Sequence, residues 1–346
     1  MKRFTTRPFA SGVTLAVIAM ALTLAGCDSV GGDTNNNSGL YPVLIDSQWG
    51  FINEEGRISI TPQYVQAEPF SGRMAAVQVG ADWGYINESG NLAIPAIYRV
   101  AGSFNEGLAP VRGIDFGAQY GFIDQSGTTV IAEQFELAKP FNEGLAAVRI
   151  DSQWGFVNTS GTVVIAATYA DAQSFSQGLA AVEGRDGWIY IDRNGTVVID
   201  PSFQINQAGP FSQGRAAFAT NEGWGYLDES GSPVIPPQYD TAGEFSEGLA
   251  AVRQDGFYGF IDGTGVERID FQFRNARAFR EGLAPVRINS SWTFINKDDG
   301  AVVLDRYWMD ATSFENGVAR ILTGNEDNPR VGYIDRAGEY IWYPTR

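Results

Sequence analysis

Gly248-Leu-Ala-Ala-Val-Arg-Gln-Asp-Gly-Phe-Tyr-Gly-Phe-Ile-Asp-Gly-Thr-Gly-Val-Glu-Arg-Ile269 holds three short apolar runs separated by two tight polar turns. Leu249–Val252, Tyr258–Asp262 and Val266–Ile269 are each four or five residues long and rich in aromatic and β-branched types. Runs of that length and composition, broken by Gly-containing turns, read as a three-stranded antiparallel meander. The central run recurs along the chain, led by Trp49, Trp83, Tyr120, Trp154, Trp188, Trp224, Tyr258, Trp292 and Val331. Successive leads are 34, 37, 34, 34, 36, 34, 34 and 39 residues apart. A fixed period in this range marks a repeat array, in which each unit buries its apolar face against its neighbours.

The landmarks around each central run are also periodic. Asn53, Asn87, Asp124, Asn158, Asp192, Asp228, Asp262 and Asp335 are each followed three residues later by Gly, and Asn296 four residues later by Gly300. An Asx side chain caps a type I turn and Gly supplies the left-handed residue that closes the hairpin. The connector to the next unit carries an aromatic such as Tyr169 or Tyr239, then a Phe such as Phe175 or Phe245, then Glu, Gln or Asn before Gly. The repeated Gly predicts a positive φ, and the connector has room for one helical turn at most. Phe203 and Phe211 are two residues further apart than their counterparts. The Gly after each lead aromatic predicts close approach of a large ring from an adjacent strand or unit. Ile189 and Thr293 replace it, so local packing should differ there.

Trp-Gly-Phe-Ile-Asp, Gly231-Ser-Pro-Val-Ile-Pro-Pro-Gln-Tyr239 and Phe245-Ser-Glu-Gly-Leu-Ala-Ala-Val252 resemble the bacterial WG repeat family. The resemblance covers residues 40 to about 343. It implies a β-rich array, often on exported or surface proteins, and supplies no catalytic residue to carry over.

The first 27 residues read as an export signal: Lys2, Arg3 and Arg7 precede an apolar stretch from Gly12 to Leu24, too short for a stable membrane span. It ends in Leu24-Ala-Gly-Cys27, which resembles a lipobox and implies cleavage before Cys27 and its lipidation. Cys27 is the one cysteine and has no intramolecular partner. Residues 28–39, small and polar, read as a flexible tether to an array over 40–346. Loss of the three basic residues of the signal takes the net charge from −16 to −19. An acidic chain with lysine only at Lys2, Lys139 and Lys297 has no basic face for nucleic acid.

The chain has no histidine, which excludes Ser-His and Cys-His nucleophilic catalysis and His-based zinc sites. No Asp/Gly turn has the alternating acidic ligands of a calcium loop. Glu106, Glu143, Glu247 and Glu281 occupy one repeat position, where Gln177 and Gln213 substitute; a residue that obeys the repeat is structural before it is catalytic. No enzyme activity, cofactor or metal is expected. Binding residues are sought where symmetry fails. The turn between first and second strands is longer at Arg112 to Gln119, with Asp115 and Phe116, and at Leu322 to Arg330, with Asn325, Glu326, Asp327 and Arg330.

The sequence therefore predicts an all-β array of nine three-stranded units. An open, twisted solenoid is the expected shape and a closed propeller-like ring the alternative. The expected function is a lipid-anchored, non-catalytic scaffold at the cell envelope. Its partner is an envelope protein; the alternative ligand is a glycan or peptidoglycan.

Overall fold

The computed structural model describes residues 38–325 and 328–344. The signal, Cys27 and nearly all of the tether lie outside the described residues. The array itself belongs to one compact body. Every element among the described residues is a strand, a turn or an irregular segment, so the connectors contain no helical turn.

The fourth unit shows the regular pattern. Leu137–Ala138, Leu145–Ile150, Gln153–Asn158 and Val163–Tyr169 form one antiparallel sheet in that order. The expected three strands are thus joined by a fourth, contributed by the connector. Glu136 and Lys139 donate their amides to the carbonyls of Arg149 and Ala147, both at 2.9 Å. This pairing satisfies connector backbone that would otherwise be unpaired beside the core. The first unit retains three strands, Tyr41–Ile45, Gln48–Ile52 and Ile58–Tyr64. Leu92–Ala101 runs without a break from the second unit into the third and fuses their sheets.

The Gly after each lead aromatic is explained by register. Trp154 pairs with Tyr169 and Phe156 with Ile165, so the third strand spends extra residues opposite Gly155 and bulges over it. A Cβ on Gly155 would lie 2.6 Å from both the Ile165 carbonyl oxygen and the Ala167 nitrogen. What approaches the glycine is strand backbone, not the large ring that the sequence suggests. Beside Gly259 the Phe271 ring also comes close, at 3.1 Å. The turn before each first strand is tighter than one positive φ requires. Glu143 and Gly144 have φ of 53° and 82°, and Asn142 and Leu145 exchange both backbone hydrogen bonds around them. Two left-handed residues in a two-residue hairpin make a type I′ turn, whose twist matches that of the strands.

Units are held together by aromatic pairs. Phe156 meets Phe175 of the next connector with centroids 4.9 Å apart and planes at 62°, and both rings are fully buried. Phe51–Phe70, Tyr85–Phe104, Phe122–Phe141, Tyr190–Phe211, Tyr226–Phe245, Phe260–Phe279 and Phe294–Phe314 repeat the contact. The ninth unit completes the series on the first: Tyr333 meets Tyr41 at 5.4 Å. The Tyr333 hydroxyl also donates to the Pro42 carbonyl at 2.7 Å. In the second, fourth and fifth units the equivalent carbonyls, Ala76, Ala147 and Ala181, accept from a connector amide instead. Turn glycines tell the same story. Gly161 faces Ile131 and Gly195 faces Ile165 of the preceding unit, and Gly56 of the first unit faces Ile341 of the last. Val43, Ile52, Val318, Leu322, Val331 and Tyr333 share one buried cluster across this seam.

The array is therefore the closed, propeller-like ring and not the open twisted solenoid. The sequence favours an open shape because no half-unit remains for strand exchange. The first and last units meet instead through side chains, and that contact needs no exchanged strand.

Candidate binding cleft

The regular polar positions are occupied by contacts within the ring. Glu106 accepts the Gly144 amide of the next unit at 2.9 Å, Glu143 that of Gly178 at 2.9 Å and Gln177 that of Gly214 at 2.9 Å. Gln213 accepts Gly248 at 2.7 Å, Glu247 accepts Gly282 at 3.0 Å and Glu281 accepts Gly317 at 3.0 Å. Each needs one side-chain oxygen at the right length, so Glu and Gln interchange. The Asp residues of the second turn are engaged by their own turns. Asp262 accepts the Thr264 hydroxyl at 2.6 Å and the Thr264 and Val266 amides, and Arg268 lies beside it. The Thr264 hydroxyl first, with help from those amides and Arg268, holds the carboxyl well below the usual range. Asp124, Asp192 and Asp228 are lowered in the same way by their turn donors. Among the described residues no group of three or more Asp, Glu, His or Cys is placed to hold a metal ion.

The two long turns differ from one another. In the third unit, residues 114–119 are a true loop: Ala118 donates to the Asp115 carbonyl at 3.1 Å, Phe116 is fully exposed and Gln119 is exposed. Arg112 stands at its base with its guanidinium 5.5 Å from the Tyr120 ring centre. In the ninth unit the expected loop is mostly ladder. Val318–Asn325 and Asn328–Asp335 pair from end to end, Thr323 opposite Arg330 and Asn325 opposite Asn328. The extra residues lengthen the hairpin because polar side chains on both strands can face solvent while the backbones pair. Glu326 and Asp327 lie outside the described residues.

The fifth unit contains the main break in the ring. Its third strand is Val197–Ile199, paired as Ile191↔Val197 and Tyr190↔Ile199. No ladder partner for Trp188 follows among the described residues, whereas Tyr169, Tyr239 and Phe273 pair with the equivalent Trp154, Trp224 and Tyr258. Two departures coincide here: Ile189 stands where most of the other strands cross over Gly, and the chain runs two residues further from Ile199 before the Asn206 amide rejoins the array. Residues 200–206 leave the sheet, Phe203 turns to Phe218 at 5.3 Å, and the Asn206 amide rejoins the array at the Ala219 carbonyl. The connector strand then runs six residues, Gln207–Ser212. The eighth unit meets the same problem differently. Thr293 is buried and donates its hydroxyl to the Leu304 carbonyl at 2.8 Å, and Trp292↔Trp308 survives as an isolated bridge.

Between the hairpin tip 183–187 and segment 200–206 lies an open cleft of about 720 Å³. Its lining includes Glu183, Arg185, Asp186, Asp200, Phe203 and Ile205. Sequence reading finds the two departures, Ile189 and the two-residue extension, as separate irregularities. Their meeting in space depends on register, which pattern alone does not disclose.

The model for the WG containing repeat matches residues 49–81, 83–112, 120–154, 154–188, 190–223, 224–256, 258–292 and 292–326. The chain belongs to the WG repeat family. No curated protein matches the sequence. A solved structure described as a eukaryotic initiation factor superposes with a TM-score of 0.66 at 11% identity, covering 88% of this chain and 94% of that one. The dihydro-heme d1 dehydrogenase NirN, solved with DHE, gives 0.47 at 12% identity over 88% of this chain and 72% of that one. At these identities the first likeness concerns the fold alone, and the second carries no argument. The WG glycine itself now has a physical role: it is where the third strand crosses.

Proposed function

We propose that this WG repeat protein is a non-catalytic scaffold, exported and held at the cell envelope by lipid on Cys27, that binds a protein partner. The observation that carries the reading is the fate of the aromatic rings. Trp154, Trp188, Trp292 and Trp308 are buried, and the paired Phe and Tyr rings lie between units. A sugar-binding face needs rings open to solvent for stacking. Among the described residues the exposed large aromatics are Phe116, Tyr307 and Tyr343, in three different units. What remains outward is a varied surface in which polar side chains alternate with single aliphatic ones such as Ile58, Leu92 and Val163, together with an open cleft and a long loop; it suits a protein better than a repeating glycan. Several acyl chains would hold such a body at a membrane stably. Affinity capture from envelope extracts, with binding to glycan fragments measured beside it, tests the reading. A saturable protein partner is expected. Recovery of glycan binding alone would contradict it.

A further inference from the structure

We propose that the first-turn ends of the second and third units form a docking surface for an amphipathic helix of a protein partner, its apolar stripe flanked by lysine or arginine. The proposal rests on the protein-binding reading above and names where and how the partner engages. Three observations carry it. First, apolar side chains are exposed here at positions that are polar elsewhere in the repeat. Ile97 is 52% exposed at the position of Gln63, Gln134, Thr168, Gln238 and Gln272. Val65 is 47% exposed at that of Arg99, Glu136 and Asp240. Val79, Ile114 and the fully exposed Phe116 join them. Register brings these residues to one end of one sheet. Val65 donates its amide to the Gln78 carbonyl, next to Val79. Tyr98, beside Ile97, pairs both with Trp83 of its own unit and with Gly113, where the loop holding Ile114 and Phe116 begins. Among the described residues these are the two units whose sheets fuse, into one of seven strands. An exposed apolar group of this kind marks an interaction site, and an aromatic ring is its usual anchor. Second, the surface offers side chains rather than a strand edge. Tyr98 is paired on both sides and the Val65 amide is taken, so recognition falls to side chains and the partner must satisfy its own backbone, as a helix does. Val79 and Ile114 stand three strand spacings apart, about 14 Å along the sheet, and residues i, i+4 and i+8 of a helix cover about 12 Å. Third, place and charge select the partner. The chain enters the array at Gly39, where an added Cβ would lie 2.9 Å from Glu54 Oε1. Glu54 belongs to the turn between second and third strands, at the opposite end of the strands from Val79 and Phe116. An anchor attached there draws the second-turn face to the bilayer and leaves the apolar group pointing away, clear of lipid and of a second copy in the same membrane. Asp82 opposite Val79, Asp115 in the loop and Glu133, whose carboxylate lies beside Gly113, border the group. Of the two guanidiniums nearby, Arg99 and Arg112, the second is held over Tyr120. On a chain of net charge −16, basic flanks on the helix meet complementary charge, which favours encounter and fixes register.

A library displaying single helices of about five turns with randomised side chains, panned on the full chain at low salt, is the test. Selected helices should carry apolar residues at i, i+4 and i+8 with Lys or Arg on the flanks. Their affinity should fall at least tenfold in Ile97→Gln/Phe116→Ser, two exposed substitutions that leave the core and the melting temperature unchanged. Proline at the centre of a selected helix should abolish binding, because it breaks the helix, and added salt should weaken binding by screening the flanking charges. Selection of helices without an apolar stripe or without basic flanks, equal binding by wild type and double variant, or failure to select any helix would overturn the proposal. With Cys27 replaced by Ala, sedimentation of the chain with phosphatidylglycerol vesicles, or a dimer in ultracentrifugation, would also overturn it if the double variant abolished that behaviour, since the surface would then belong to a bilayer or a second copy. If the double variant still captures the same envelope protein as wild type, the scaffold reading stands and this surface is not its site. If selected helices bind as expected and no envelope protein is captured, the surface stands and the scaffold reading falls.

Discussion

Gly155→Ala adds one methyl group at the point where the third strand of the fourth unit crosses the second. The new carbon would sit 2.6 Å from the Ile165 carbonyl oxygen and 2.6 Å from the Ala167 nitrogen. Ordinary contact begins near 3.4 Å, so backbone must move by roughly 1 Å on two sides. No flexible side chain is there to yield. The strand can relieve the overlap only by stretching its bulge, which strains the Phe156↔Ile165 and Trp154↔Tyr169 pairs on either side. Overpacking of this kind costs about 1–3 kcal/mol, with more expected where backbone rather than side chain is displaced. Urea denaturation of wild type and variant should show a lower midpoint at nearly unchanged slope. Gly144→Ala separates sterics from backbone preference. Its Cβ would meet nothing within 4 Å, but its φ is 82°, and a left-handed alanine costs about 1–2 kcal/mol. A Gly155→Ala protein within about 0.5 kcal/mol of wild type, the range of an ordinary surface change, would refute the crossing-strand explanation of the WG motif.

Three further outcomes are expected. Asp124, Asp192, Asp228 and Asp262 have lowered carboxyl pKa values in the folded state. Their contribution to stability is therefore complete above the ordinary carboxylate range near pH 4 and is lost as pH falls through the folded values. Replacing all four by Asn, the residue already at Asn53, Asn87 and Asn158, should flatten the loss measured by thermal melts between pH 5 and pH 2; an unchanged pH profile would show that other groups control acid unfolding. Cys27→Ala should move the protein from the detergent phase to the aqueous phase and remove its acyl mass, and a wild-type protein with an unmodified N-terminus would contradict the anchor. Shortening residues 114–119 to two should change stability by less than about 1 kcal/mol, since closure entropy varies slowly with loop length; a larger loss in denaturant titration would mean that the exposed Phe116 loop supports the fold.

Much of the fold was legible because the repeat wrote it nine times. Lead aromatics, Asx-Gly turns and the spacing to each Phe gave the strands and the units. What the sequence hid was long-range. The fourth strand is two residues long in most units and pairs through backbone, leaving no side-chain signature. Closure of the ring turns on Tyr41 and Tyr333, far apart in sequence and each unremarkable in its own unit. Tyr41 takes the place of a connector Phe that the first unit does not present among the described residues. The candidate site shows the same limit. Ile189 and the longer 203–211 spacing are both visible in the sequence, but only register shows that both fall where the third strand leaves the sheet and the cleft opens. Conversely, the polar stretch 322–330 looks like a loop because its residues are hydrophilic, although alternation in an exposed hairpin tolerates them on both strands.

Closure of the ring decides everything else, and an interspin distance between its ends tests it most directly. With Cys27 replaced by Ala, spin labels at Glu55→Cys and Tyr343→Cys flank the contact of Gly56 with Ile341, and both positions are exposed. In the closed ring the labels should give one narrow distribution centred at or below about 25 Å, since they sit within two residues of a direct contact and each adds only its own short linker, about two residues of extended reach. Nine sheets stacked in an open array at about 10 Å per sheet would instead hold the ends about 80 Å apart. A short, single distance supports the ring, and a long or broad one would contradict it.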